Sequence, residues 1–135
     1  MIYPMCAMVL LTAIVLVILF RSRVRAVREG AVSTRYFRTY QGEVEPDYSA
    51  KPSRQFTNLF EAPTLFYVVC LAAMILHFTG ATMQLLAWLY VVARYAHAYV
   101  HLGPNRLKMR IPVYFASWLI LLGMWIYLAV GMALL

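Results

Sequence analysis

The 135-residue chain is 64 % hydrophobic and only 13 % charged, which excludes a water-soluble domain of this size and leaves room for a single unit. Its 12 Lys and Arg against 5 Asp and Glu give a formal charge of +7. These cations gather beside apolar segments, so they read as membrane topology, and no nucleic-acid partner is expected.

A helix needs about 20 mostly apolar residues to cross the ~30 Å hydrocarbon layer. Four stretches have that length, at about residues 1–20, 56–78, 83–101 and 112–135, and none alternates as a barrel strand does. The expected fold class is an all-α integral membrane protein, a bundle of four transmembrane helices forming one domain over residues 1–135. The first stretch has no basic start and no small-x-small cleavage pattern, and it runs straight into Arg21-Ser22-Arg23-Val24-Arg25. It therefore reads as a span and not as a leader. Arg21, Arg25 and Arg28 recur at helical spacing and carry this helix to about Glu29, where Gly30 offers a stop. A cytoplasmic loop follows at about 29–54, and its run Arg35-Tyr36-Phe37-Arg38-Thr39-Tyr40 is aromatic enough to pack on the helix ends. The second and third spans are joined only by Thr79-Gly80-Ala81-Thr82, which makes them antiparallel neighbours. The fourth opens at Arg110-Ile111-Pro112, where a first-turn proline removes no backbone hydrogen bond.

Orientation follows from the charges. Residues 21–55 carry eight Lys or Arg against four Asp or Glu, and Arg106, Lys108 and Arg110 mark the other loop on that side. The opposite ends, Met1-Ile2-Tyr3-Pro4, Thr79–Thr82 and Met132–Leu135, have no charged side chain. Both long loops are thus expected in the cytoplasm and both termini outside it, with anionic headgroups a secondary attraction. Cys6 and Cys70 lie in spans without a CxxC and read as packing residues. His77 reads as interfacial, and Tyr3, Trp88, Tyr90, Trp118, Trp125 and Tyr127 as lipid-facing or belt residues.

An ionisable group inside the bilayer costs roughly 2.5–3.5 kcal/mol on insertion scales, so each needs a partner or a purpose. Arg54, Asn58 and Glu61 recur at helical spacing on the second span, and Arg94, His97 and His101 on the third. The triplets mirror each other as antiparallel partners do, Arg54 with His101, Asn58 with His97 and Glu61 with Arg94. Glu61 and Arg94 would meet as a buried ion pair, although a tight hairpin between the spans would offset this register by several residues. Stagger within one subunit and pairing between subunits both remain open. One reading is that the set only fixes helix register. The other is a pocket open to the cytoplasmic side, lined by cations and donors and suited to an anionic hydrophilic ligand, with Arg110 and Tyr114 extending it at the start of the fourth span.

The run Arg54-Gln55-Phe56-Thr57-Asn58-Leu59-Phe60-Glu61-Ala62-Pro63 resembles the R-x-x-x-N-x-x-E-x-P signature of the MAPEG family, the membrane-associated proteins in eicosanoid and glutathione metabolism. Arg94-Tyr95-Ala96-His97 with His101 is similar to that family's R-x-x-H/Y-x-x-x-Y stretch, and Arg110-Ile111-Pro112-Val113-Tyr114 to the start of its fourth helix. The likeness in order and spacing covers about residues 50–130, and loop 30–53 resembles bacterial members. It implies a homotrimer in, for a bacterial member, the inner membrane, with glutathione as co-substrate held between subunits near the cytoplasmic face. The resemblance gives Arg54, Asn58, Glu61, Arg94, His97, His101 and Tyr114 to the glutathione site, and Arg110 to catalysis as the arginine that stabilises the thiolate. Ala62, His97 and His101 stand where the leukotriene-synthase branch has tyrosines.

The resemblance implies a glutathione-dependent transferase or peroxidase acting on lipophilic electrophiles at the membrane, with no metal. The partners expected are glutathione, a lipophilic small molecule, membrane lipids and further copies of the chain. The alternative is a catalytically silent membrane protein of the same fold that binds a lipid, another thiol or a protein. A proton-coupled exporter would want an acidic residue in the middle of the first span, and a four-helix disulfide or quinone reductase would want a CxxC; neither is present.

Overall fold

The computed structural model describes residues 1–134, so Leu135, the last residue of the fourth expected span, lies outside the described residues. The described chain is helical throughout, in the order α1 Ile2–Arg28, α2 Tyr36–Thr39, α3 Asp47–Asn58, α4 Ala62–Ile75, α5 Ala81–Leu102 and α6 Leu107–Ala133. Three helical stretches, Ile2–Arg28, Asp47–Ile75 and Leu107–Ala133, are long and apolar enough to cross a membrane. The 22-residue α5 is not among them; it carries Arg94, His97 and His101.

Helix ends follow local chemistry. α1 stops where Gly30 takes φ +69°, with Ala31 N–H donating to Ala26 O at 2.9 Å and Gly30 N–H to Val27 O at 3.1 Å. Those two bonds close the last turn around a left-handed residue. α4 ends the same way at His77, φ +54°, which leaves His77 exposed in the cap.

Four features depart from the sequence reading. The loop expected over about 29–54 is partly helical: α2 lies within it and α3 begins at Asp47. The second span is broken at 59–61, because Pro63 has no N–H to donate to the carbonyl of Leu59 and the chain restarts as α4 with Glu61 at its N-cap. α6 starts at Leu107, which places Pro112 inside the helix beyond its first turn. Finally, α4 and α5 meet through large side chains and not by close backbone approach, Phe66 stacking on Tyr90 with centroids 4.4 Å apart; α5 packs most closely on α6.

The core is a column of Met8, Phe66, Met83, Ala87, Tyr90 and Met124, all fully buried. Tyr90 therefore belongs to this core and not to the lipid face. Cys70 is buried as a packing residue, but Cys6 is exposed and lies outside the core. A second, smaller cluster of Ala26, Val32 and Tyr36 seats the short α2 against the end of α1. Arg23 ties it down: its guanidinium lies 5.2 Å from the Phe37 ring and 5.7 Å from the Tyr40 ring, and Nη2 donates to Tyr40 Oη at 2.9 Å.

Candidate functional site

The break between α3 and α4 frees backbone acceptors at the end of α3. One of them, the carbonyl of Asn58, accepts from Arg94 Nη2 at 2.9 Å. The guanidinium thus sits at a helix C-terminus, where the partial negative charge of the backbone favours a cation. Arg94 is 0 % exposed, and its Nε and Nη1 have no partner among the described residues. Its charge lies 6.0 Å from the centre of the Tyr114 ring on α6.

This contact aligns α3 with α5 in the mirrored order. Toward the end of the bundle that carries Lys51 and Arg54, His101 Nδ1 pairs with Gln55 Oε1 at 2.8 Å. An amide oxygen only accepts, so in this placement Nδ1 is the donor of the pair. His97 lies between His101 and Tyr114, its ring 5.6 Å and 5.5 Å from theirs. Gln55 was missed from the sequence because it sits beside Arg54, off the face that the triplet defines. The mirrored register set Arg54 opposite His101, and the observed partner is the next residue, Gln55.

In front of these side chains is a cavity of about 380 Å³ lined by Arg54, Asn58, His97, His101, Arg110 and Tyr114, with Ile111 and Phe115 at its apolar edge. Six of the eight residues singled out from the sequence thus surround one space. Arg94 is not in its lining and stands behind it. Glu61 is the other exception: it is exposed at the helix break, and the pair it was expected to form with Arg94 is not made within the chain. Among the described residues the ion pair found is Arg25 with Glu29, at 2.8 Å. The reason is the end of α3 at Asn58, which takes Glu61 off the helical face shared by Arg54 and Asn58.

Chemically, the cavity joins two guanidinium groups, two imidazoles, an amide and a phenol to an apolar rim. Arg110 gives Nη1 to Asn105 Oδ1 at 2.8 Å, an anchor that fixes the side chain while its other N–H groups make no bond among the described residues. Such a set suits an anion with several acceptors, since guanidinium donors to charged oxygens or sulfur make the stronger class of hydrogen bond. The volume falls in the range of small-ligand pockets, roughly 300–1,000 Å³. No group of three His, Cys, Asp or Glu side chains among the described residues is placed to hold a metal ion.

Against known proteins, a family model described as "MAPEG family" matches residues 1–130. No curated protein and no solved structure matches the chain.

Proposed function

Because the chain belongs to the MAPEG family, we propose that it is a glutathione-dependent transferase or peroxidase acting on lipophilic electrophiles at the membrane. The observation that carries this reading is the convergence of Arg54, Asn58, His97, His101, Arg110 and Tyr114 on one cavity. A tripeptide thiol with two carboxylates finds cations, donors and an acceptor there. Arg110 has the catalytic role: a fixed guanidinium stabilises a thiolate and lowers the thiol pKa, about 1.4 kcal/mol for each unit. The sulfur then bonds to the electrophile and displaces its leaving group. With a hydroperoxide it takes the distal oxygen as the O–O bond breaks, the alcohol leaves protonated, and a second thiol reduces the sulfenic acid to a disulfide and water. Ile111 and Phe115, 50 % and 61 % exposed, present the apolar rim across which a second substrate dissolved in the bilayer reaches the sulfur.

The proposal includes four spans, with α5 as the fourth. At 22 residues it is about 33 Å long, enough to cross, and its arginine and histidines face the bundle: Arg94, His97 and His101 are all buried. Both termini then lie on the non-cytoplasmic side of a bacterial inner membrane. It also includes a homotrimer. Glu61 and Phe60 are exposed at a break inside the Asp47–Ile75 stretch, a costly place for a carboxylate facing lipid, while Arg94 keeps two buried donors without partners. A neighbouring copy covering the break relieves the exposed carboxylate.

Calorimetry on the detergent-solubilised protein tests the reading. Saturable glutathione binding is expected in the wild type, weakened about 10- to 100-fold by Arg54→Ala, the worth of a charge-assisted hydrogen bond. Arg110→Ala should keep binding but lose thiolate absorbance. Absence of wild-type binding at millimolar glutathione overturns the enzyme and favours the catalytically silent alternative, for which the observation is that Arg110 already has an internal partner in Asn105.

A further inference from the structure

α1 has 27 residues, about 40 Å at 1.5 Å each, and outruns a ~30 Å hydrocarbon layer by about two turns. Those turns carry two sets of arginines with different tasks. Arg23 faces inward and holds the α2–α3 cap through Tyr40 and Ser53. Arg21, Arg25 and Arg28 lie one turn apart on the outward strip, and all three are exposed.

The outward strip borders a groove of about 340 Å³ lined by Phe20, Arg21, Val24, Arg25, Arg28 and Glu29. Its wall on the membrane side is apolar: Phe20 is 67 % exposed, and Val17, one turn earlier on the same strip, is 56 % exposed. Its far wall is cationic. Arg25 is occupied by Glu29 at 2.8 Å and lies 4.7 Å from the Tyr48 ring. Arg21 and Arg28 make no hydrogen bond or ion pair among the described residues, so one carboxylate faces three guanidinium groups.

We propose that this groove binds an anionic phospholipid, its headgroup phosphate held among Arg21, Arg25 and Arg28 and an acyl chain lying along Phe20 and Val17. The order of the walls, apolar then cationic along the helix axis, is the order of the parts in a lipid. Guanidinium forks match phosphate oxygens, and long arginine stems reach the headgroup level while covering apolar surface. A soluble anion would use the arginines but leave Phe20 and Val24 without a role. The proposal is independent of the α3–α5–α6 cavity.

Native mass spectrometry of the full chain in neutral detergent, titrated with phosphatidylglycerol or phosphatidylcholine, tests it. Wild type should retain phosphatidylglycerol about tenfold better than phosphatidylcholine. Arg21→Gln/Arg28→Gln should abolish most of this roughly tenfold preference, while Arg35→Gln/Arg38→Gln, an equal charge change on the loop, should leave it within about twofold. The single Arg28→Gln variant, at the exposed end of α1, should give an intermediate loss and serves if the double variant does not fold. Equal loss in the loop control overturns the site in favour of a diffuse surface potential. No preference over phosphatidylcholine overturns it too, as does displacement of the lipid by millimolar inorganic phosphate, which would assign the groove to a soluble anion.

Discussion

Replacing Gln55 with leucine removes the partner of His101 Nδ1, 2.8 Å away at a place where Gln55 is 0 % and His101 3 % exposed. A neutral hydrogen bond contributes about 1 kcal/mol net, and stranding a buried N–H costs about 1–3 kcal/mol. Against that, Gln55 Nε2 is itself buried without a partner, and leucine removes it at similar volume. The net expectation is a loss of about 1–2 kcal/mol for Gln55→Leu. Adding His101→Phe removes the stranded donor as well, so the double variant should recover most of that loss and show a coupling of about 1 kcal/mol. Thermal unfolding in detergent, followed by tryptophan fluorescence, reads these changes as shifts of a few degrees. Wild-type melting of Gln55→Leu, or strictly additive single variants, would refute the argument that this bond holds the imidazole at the cavity wall.

Tyr90→Phe keeps the ring stacked on Phe66 and deletes a fully buried hydroxyl that has no partner among the described residues, so it should raise stability by about 1 kcal/mol in the same melting assay. A fall instead would mean that the hydroxyl is bonded. Arg23→Met removes the clasp on Phe37, Tyr40 and Ser53, and a loss of about 1–2 kcal/mol of local stability should speed proteolysis between Ser33 and Glu45 about 5- to 30-fold, with global melting little changed. Acidification should loosen the same cap. Hydrogen bonds from the Ser33 side chain and backbone hold the Glu43 carboxyl below its ordinary 4.5, and bonds from Arg25 and Tyr48 do so for Glu29. Depressed carboxylates stabilise the fold above the ordinary value and lose that contribution as pH falls through the folded value. Hydrogen exchange of residues 29–48 should therefore rise below about pH 4.5 after correction for its intrinsic pH dependence, and Glu43→Gln should remove part of the effect.

Much of this architecture is visible in residue order because lipid makes the rules severe. A spanning segment must be apolar for about 20 residues and must satisfy its own backbone, so helices can be read from composition alone. Gly30 marks a helix end for an equally local reason, its freedom to take a positive φ. The mirrored triplets were legible because polar residues in a span are few and share helical faces; Arg54, Asn58, His97 and His101 do meet around one cavity.

Other features depended on contacts that no local pattern contains. Pro63 is visible in the sequence, but whether it merely opens a helix or breaks one depends on what donates to the carbonyls freed at the break, and the donor to Asn58 O is Arg94, 36 residues away. The break then decides the fate of Glu61, which leaves the face it shared with Arg54 and Asn58. α3 begins about nine residues earlier than the apolar stretch suggested, at Asp47 and not at about 56, because its polar first turns pack against the emerged end of α1 and not against lipid. Tyr90 is aromatic in a span, which by itself suits the lipid face equally well; the stack on Phe66 put it inside. Composition and spacing thus determined the medium, the helices and the set of polar residues, since each follows from solvation and period along one segment. Which of those residues face one another was decided only in the tertiary structure, because it depends on where one helix stops and which distant side chain its last carbonyls find.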